Sequence, residues 1–108
     1  MRQMFSYAKL FRSDISKWDV SNVRDMSGMF HWAESFASGV SKWDVSRVST
    51  MPDMFRYARS FNGDISHWDV SSVNNMDSMF QGARSFSRKL CGASWVHSKA
   101  TKSVMFAG

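Results

Sequence analysis

The sequence predicts an α/β solenoid: four 25-residue repeats, each with one short parallel strand and one short helix, closed by a C-terminal cap. Three observations lead there. The hydrophobic residues are skewed in kind, with nine Met, nine Phe and five Trp in a chain of 108 residues. Written in rows of 25, the same residue types fall in the same columns. Within each row the apolar spacing changes from helical to extended.

The columns come first because every element rests on them. Met1, Met26, Met51 and Met76 form one, and Met4, Met29, Met54 and Met79 another, each of the latter followed by Phe5, Phe30, Phe55 or Phe80. Ala8, Ala33, Ala58 and Ala83 follow, then Phe11, Phe36, Phe61 and Phe86. Ile15, Val40, Ile65 and Leu90 precede Trp18, Trp43 and Trp68, and the row closes on an Asp-Val pair and a further Val. Met105-Phe106 reads as a displaced fifth copy, so all nine Met and all nine Phe occupy repeat columns. A single row exposes its apolar face, and stacking rows buries it.

The helix is expected over residues 26–34 and their equivalents, because Met26, Met29, Phe30 and Ala33 recur at helical spacing. Asp25, Thr50 and Asn75 suit its N-cap. Pro52 then falls in the first turn, where a missing N–H is tolerated. The strand is expected over residues 14–18 and their copies, followed by a turn in which Asp19 and Ser21 satisfy backbone amides.

The repeats divide the single domain at about 1–25, 26–50, 51–75 and 76–90, with a cap over 91–108. The cap is marked by the loss of the S-x-W-D-V-S pattern after Leu90 and by Trp95, displaced by two residues. No matching N-terminal cap stands before Met1, which predicts a piece of something longer.

Charge is unevenly spread. Nine basic and nine acidic residues balance over residues 1–77, while Arg84, Arg88, Lys89, Lys99 and Lys102 follow without any acid, giving the net +5. That asymmetry points to an acidic partner near the capped end. No apolar run approaches the roughly 18–20 residues of a membrane span, and no apolar stretch follows the N-terminus as in a signal peptide.

Chemistry is harder to find. Asp19, Asp44 and Asp69 could form a cation ladder, but a turn bond to backbone amides explains them without a ligand. His31, His67 and His97 sit in different columns and lack metal-ligand spacing. Cys91 is a single thiol in a column otherwise filled by Ser16, Ser41 and Ser66. No nucleophile stands with a base, and no phosphate-loop, dinucleotide or zinc pattern occurs, so no enzyme, metal or cofactor is expected.

Candidate partner-binding residues fall in three groups. Lys17, Lys42 and His67 align on the expected strand face. Tyr7, Trp32 and Tyr57 form an aromatic rim at the expected helix edge. Arg84, Arg88, Lys89, Lys99 and Lys102 make the basic end. Lys9, Arg59 and Arg84 also align near the expected helix C-terminus, where cations suit the dipole. A nucleic-acid role would need exposed stacking aromatics among the cations. Most aromatics here are committed to the core, so no nucleic acid is expected.

The pattern M-F-x-x-A-x-S-F-N-x-D-I-S-x-W-D-V-S-x-V-x-x-M resembles the repeats of the BspA-like leucine-rich-repeat surface proteins, known from mycoplasma-type lipoproteins. The match is best from Phe61-Asn62-Gly63-Asp64-Ile65-Ser66 through His67-Trp68-Asp69-Val70-Ser71, and the likeness covers residues 1–90. The cap beginning at Leu90-Cys91-Gly92-Ala93-Ser94-Trp95 looks like those of algal and protist versions. Row two departs at Ala37-Ser38-Gly39-Val40, and Gly82 replaces the rim aromatic. The resemblance implies a leucine-rich-repeat-like coil for surface display or protein binding, at the cell surface or secreted, without catalysis. The expected function is thus a non-catalytic module for protein–protein interaction. The alternative is a structural accessory subunit docked peripherally in a larger assembly, such as an organellar or photosynthetic membrane complex of an alga.

Overall fold

In the computed structural model, residues 2–37, 39–87, 90, 95 and 98–101 are described. The expected helix is replaced by a chain of tight turns. In row two the amides of Met29, His31 and Ala33 donate to the carbonyls three residues back, those of Met26, Gly28 and Phe30. The intervening amides of Met26, Gly28, Phe30 and Trp32 donate instead to the carbonyls of Thr50, at the end of the row, and of Pro52, Met54 and Arg56 in the next row, at 2.9–3.0 Å. Rows one and three repeat the arrangement from Gln3, Phe5 and Tyr7, and from Met51, Asp53, Phe55 and Tyr57.

The backbone angles show why no helix propagates. Gln3, Gly28, Asp53 and Ser78 are left-handed, and so are Tyr7, Trp32, Tyr57 and Gly82, with φ from 54° to 70°. A left-handed residue every four positions closes one turn and opens the next, whereas an α-helix needs consecutive right-handed residues. Two four-residue turns return side chains to one face at nearly the spacing of a helix. The i, i+3, i+4, i+7 pattern therefore marked the buried face correctly and the backbone wrongly.

The expected caps act on turns. The Asp25 carboxylate accepts the amide of Ser27, and the Asn75 side chain accepts that of Asp77, each at 2.8 Å. Row three has Thr50 at the first of these positions and Pro52 at the second, and proline brings no N–H to satisfy.

No strand forms over residues 14–18. A turn stands there, with the Trp18 amide donating to Ile15 and the Asp14 carboxylate accepting the amide of Ser16. The strand-like pairing lies elsewhere, in parallel single bridges Asp25–Thr50, Thr50–Asn75 and Asn75–Thr101. Among the described residues the only helical one is Trp95. The α/β expectation thus gives way to a fold with almost no regular secondary structure.

A large buried aromatic cluster holds it together. Phe5, Phe30, Phe55 and Phe80 stack row on row at 5.5–5.7 Å between ring centres, and Phe11, Phe36, Phe61 and Phe86 at 5.9 Å. The two columns also stack on each other within each row at 3.9–4.2 Å. Met26, Met29, Met51, Met54, Met76 and Met79 are buried beside them. The Trp column ties rows by hydrogen bonds: Trp43 Nε1 donates to the Ile15 carbonyl, and Trp68 Nε1 to that of Val40. Trp95 donates to Ile65 at 2.9 Å, so the displaced tryptophan of the cap fills the same role from two residues further on. With a radius of gyration of 12.3 Å the chain is as compact as a globular domain of its length.

Candidate functional site

In rows one to three the second left-handed residue is itself the rim aromatic, Tyr7, Trp32 or Tyr57. Tyr7 stacks on Trp32 with ring centres 6.3 Å apart, and Trp32 on Tyr57 at 4.3 Å. The Tyr7 ring is exposed, while Trp32 and Tyr57 are half-buried. His31 joins them, 5.3 Å from Tyr7 and 6.4 Å from Tyr57. Row four has no rim aromatic because the Tyr57 ring lies over Gly82, in the space a Cβ there would need. Gly82 also takes a φ of 70°, which glycine adopts at little cost.

Two arginines complete the rim. The Arg59 guanidinium lies 5.6 Å from the Trp32 ring, and that of Arg56 5.3 Å from the Tyr57 ring. Arg59 also approaches Glu34 at 3.9 Å and Arg56 approaches Asp53 at 3.5 Å. The Nε atoms of both arginines are buried without a hydrogen-bond partner, so ring faces are among their main contacts. The helix-dipole account of Lys9, Arg59 and Arg84 falls with the helix; ring stacking and Glu34 hold Arg59 instead. Burial pushes the His31 pKa down, against the pull of Asp53 and with the help of Arg56, which favours a neutral ring at physiological pH.

The structure treats the other candidates differently. Lys17, Lys42 and His67 are all exposed at the same register position, on a turn and not on a strand. They run beside the exposed carboxylates of Asp19, Asp44 and Asp69, so that surface alternates in sign. Those carboxylates serve the turns, as the residue pattern indicated. Asp44 accepts both the Ser46 hydroxyl at 2.6 Å and its amide at 3.0 Å, and Asp19 does the same with Ser21. These bonds, the hydroxyl foremost, hold the pKa values of Asp19, Asp44 and Asp69 below the usual aspartate range.

Arg84 and Lys99 are exposed at the capped end. Arg88, Lys89 and Lys102 lie outside the described residues, as do Cys91 and His97. Among the described residues no three His, Cys, Asp or Glu side chains gather as a metal site, and no helix is long and apolar enough to cross a membrane.

Arg56 and His31 join the rim as well, though neither was among the residues expected there. Each immediately precedes a rim aromatic, at Tyr57 and Trp32, and that adjacency was the available signal.

No match was found among curated proteins or among solved structures. Over residues 1–108 the chain matches the model of the family described as "Mycoplasma protein of unknown function, DUF285", and it belongs to that family.

Proposed function

We propose that the protein is a non-catalytic binding module, a four-row solenoid of the BspA-like leucine-rich-repeat kind, that holds an acidic protein partner on its aromatic rim. The observation that carries this reading is the stack of Tyr7, Trp32 and Tyr57 with Arg56 and Arg59 over two of its rings. Trp, Tyr and Arg are the residues that dominate protein–protein binding energies. They are prepaid here, since stacking already fixes their rotamers and little ordering is left for the partner to impose. Lys9, Arg59 and Arg84 stand two residues beyond the rim position in their rows, with Glu34 the one acid among them. That excess of cations favours a partner carrying carboxylates. The Lys17 and Lys42 surface is weaker ground, because Asp19 and Asp44 offset it locally.

The test is capture of partners from the native source by wild-type protein and by two variants. Trp32→Ala with Arg59→Glu alters the rim, and Lys17→Glu with Lys42→Glu alters the other surface. Capture lost with the first and kept with the second supports the rim. The reverse pattern, in variants that keep wild-type near-ultraviolet circular dichroism, overturns it.

A further inference from the structure

Row three carries a piece of chemistry that the rim does not use, in the stretch Phe61-Asn62-Gly63-Asp64. Of the four asparagines, Asn22, Asn62, Asn74 and Asn75, only Asn62 is followed by glycine. The backbone nitrogen of the next residue can attack an asparagine carboxamide, and a residue without a Cβ allows the closest approach. Among the described residues the Gly63 amide makes no hydrogen bond that would hold its nitrogen back. The fold keeps this position bare. A Cβ on Gly63 would stand 2.8 Å from the Phe61 ring, which is fixed by stacking on Phe36, Phe55 and Phe86. Residues 61–65 belong to no helix or strand, and Asn62 and Gly63 are only half-buried, within reach of water.

The next row prepares the electrophile. Ser87 donates its amide to Asn62 Oδ1 at 3.0 Å and its hydroxyl at 3.5 Å. Attack at Cγ places negative charge on that oxygen, and donors already in position stabilise it. Asn75 accepts a comparable pair from the Asp77 amide and the Thr101 hydroxyl. Its neighbour Met76, however, carries a side chain and spends its amide on the Thr101 carbonyl. After Asn22, the Val23 amide is likewise spent on Val20. Only at Asn62 do an unscreened nitrogen and a polarised carboxamide meet.

We propose that Asn62 is a self-modifying site that deamidates through a cyclic imide formed with Gly63, with water as the co-reactant. The Gly63 nitrogen gives up its proton and bonds to Asn62 Cγ. The Cγ–Nδ2 bond breaks, and the side-chain nitrogen leaves with that proton as ammonia. Water then opens the ring. Opening at Cγ gives aspartate, and opening at the main-chain carbonyl gives isoaspartate. Aspartate keeps an acceptor for Ser87. Isoaspartate lengthens the main chain by one methylene and shortens the side group by one, so the tie between rows three and four is lost. The inference is independent of the rim's partner, and its failure leaves the rim reading standing.

The experiment incubates the full chain at mildly alkaline pH and follows each asparagine by peptide mapping and mass spectrometry. Asn62 should gain the mass of an NH-to-O exchange at least about ten-fold faster than Asn22, Asn74 or Asn75. In heavy-oxygen water the new oxygen carries the label. Amide exchange at Ser87 should quicken in the isoaspartyl fraction and stay slow in the aspartyl fraction and in Asn62→Asp. A rate at Asn62 no faster than at the other asparagines overturns the proposal. So does a rate more than about ten-fold below that of the same chain unfolded in urea, since the fold would then shield the pair. Ser87 exchange unchanged in the isoaspartyl fraction overturns the stated consequence for the rows.

Discussion

Replacing Trp43 by alanine tests the row-on-row packing at its most exacting point. The indole is 4% exposed, donates to the Ile15 carbonyl at 3.1 Å, and lies tilted against Phe30 with centres 6.3 Å apart. Deleting a buried aromatic side chain costs about 3–5 kcal/mol, because the cavity only partly collapses. The value should lie toward the upper end, since rings stacked on both sides cannot close over the gap and the Ile15 carbonyl loses its donor, itself on the order of 1 kcal/mol. Against a total stability of about 5–15 kcal/mol, that is a large fraction. Trp18→Ala provides the internal comparison. Its ring is 37% exposed, so roughly 1–2 kcal/mol is expected from the area it covers over Phe5. Urea unfolding followed by circular dichroism measures both, and with a slope of about 2 kcal/mol per molar the Trp43 midpoint should fall by roughly 2 M. A cost below about 1 kcal/mol for Trp43→Ala, or one no larger than for Trp18→Ala, would refute the argument that the tryptophans act as buried ties between rows.

Other outcomes follow from the same geometry. Gly82→Ala should destabilise by about 1–3 kcal/mol, from a left-handed φ and from collision with the Tyr57 ring. Tyr57→Ala in the same chain should recover part of that loss in a double-mutant cycle. Ser78→Gly should raise stability by about 0.5–1 kcal/mol, as serine bears the left-handed penalty at a φ of 58° without gain; an unchanged or lower unfolding midpoint would count against strain there. His31, whose pKa burial pushes down, takes up a proton more readily unfolded than folded. Stability should therefore fall as pH drops below about 6.5, and His31→Gln should flatten that slope. Asp19, Asp44 and Asp69 have depressed pKa values, so their contribution is complete above about pH 4 and is lost as pH falls further. Asp44→Asn, which keeps an acceptor for Ser46, should shallow the acid transition measured by circular dichroism.

The sequence by itself determined the core. Every buried Met, Phe and Trp of the middle rows was legible from its column, because a 25-residue period with fixed apolar positions can bury them only by stacking row on row. It also determined the role of Asp19, Asp44 and Asp69, since Asp-x-Ser bonds are local and need nothing from the rest of the fold. The tertiary structure alone decided the backbone. Helix and turn chains share the i, i+3, i+4, i+7 face, and what separates them is whether amides such as those of Phe30 and Trp32 find carbonyls four residues back or in the next row. The next row wins here: its carbonyls are in register, and left-handed corners at positions such as Trp32 and Tyr57 aim the amides at them. The same corners turn those rings outward. The rim with its arginines is thus a consequence of long-range hydrogen bonding that no window of sequence contains.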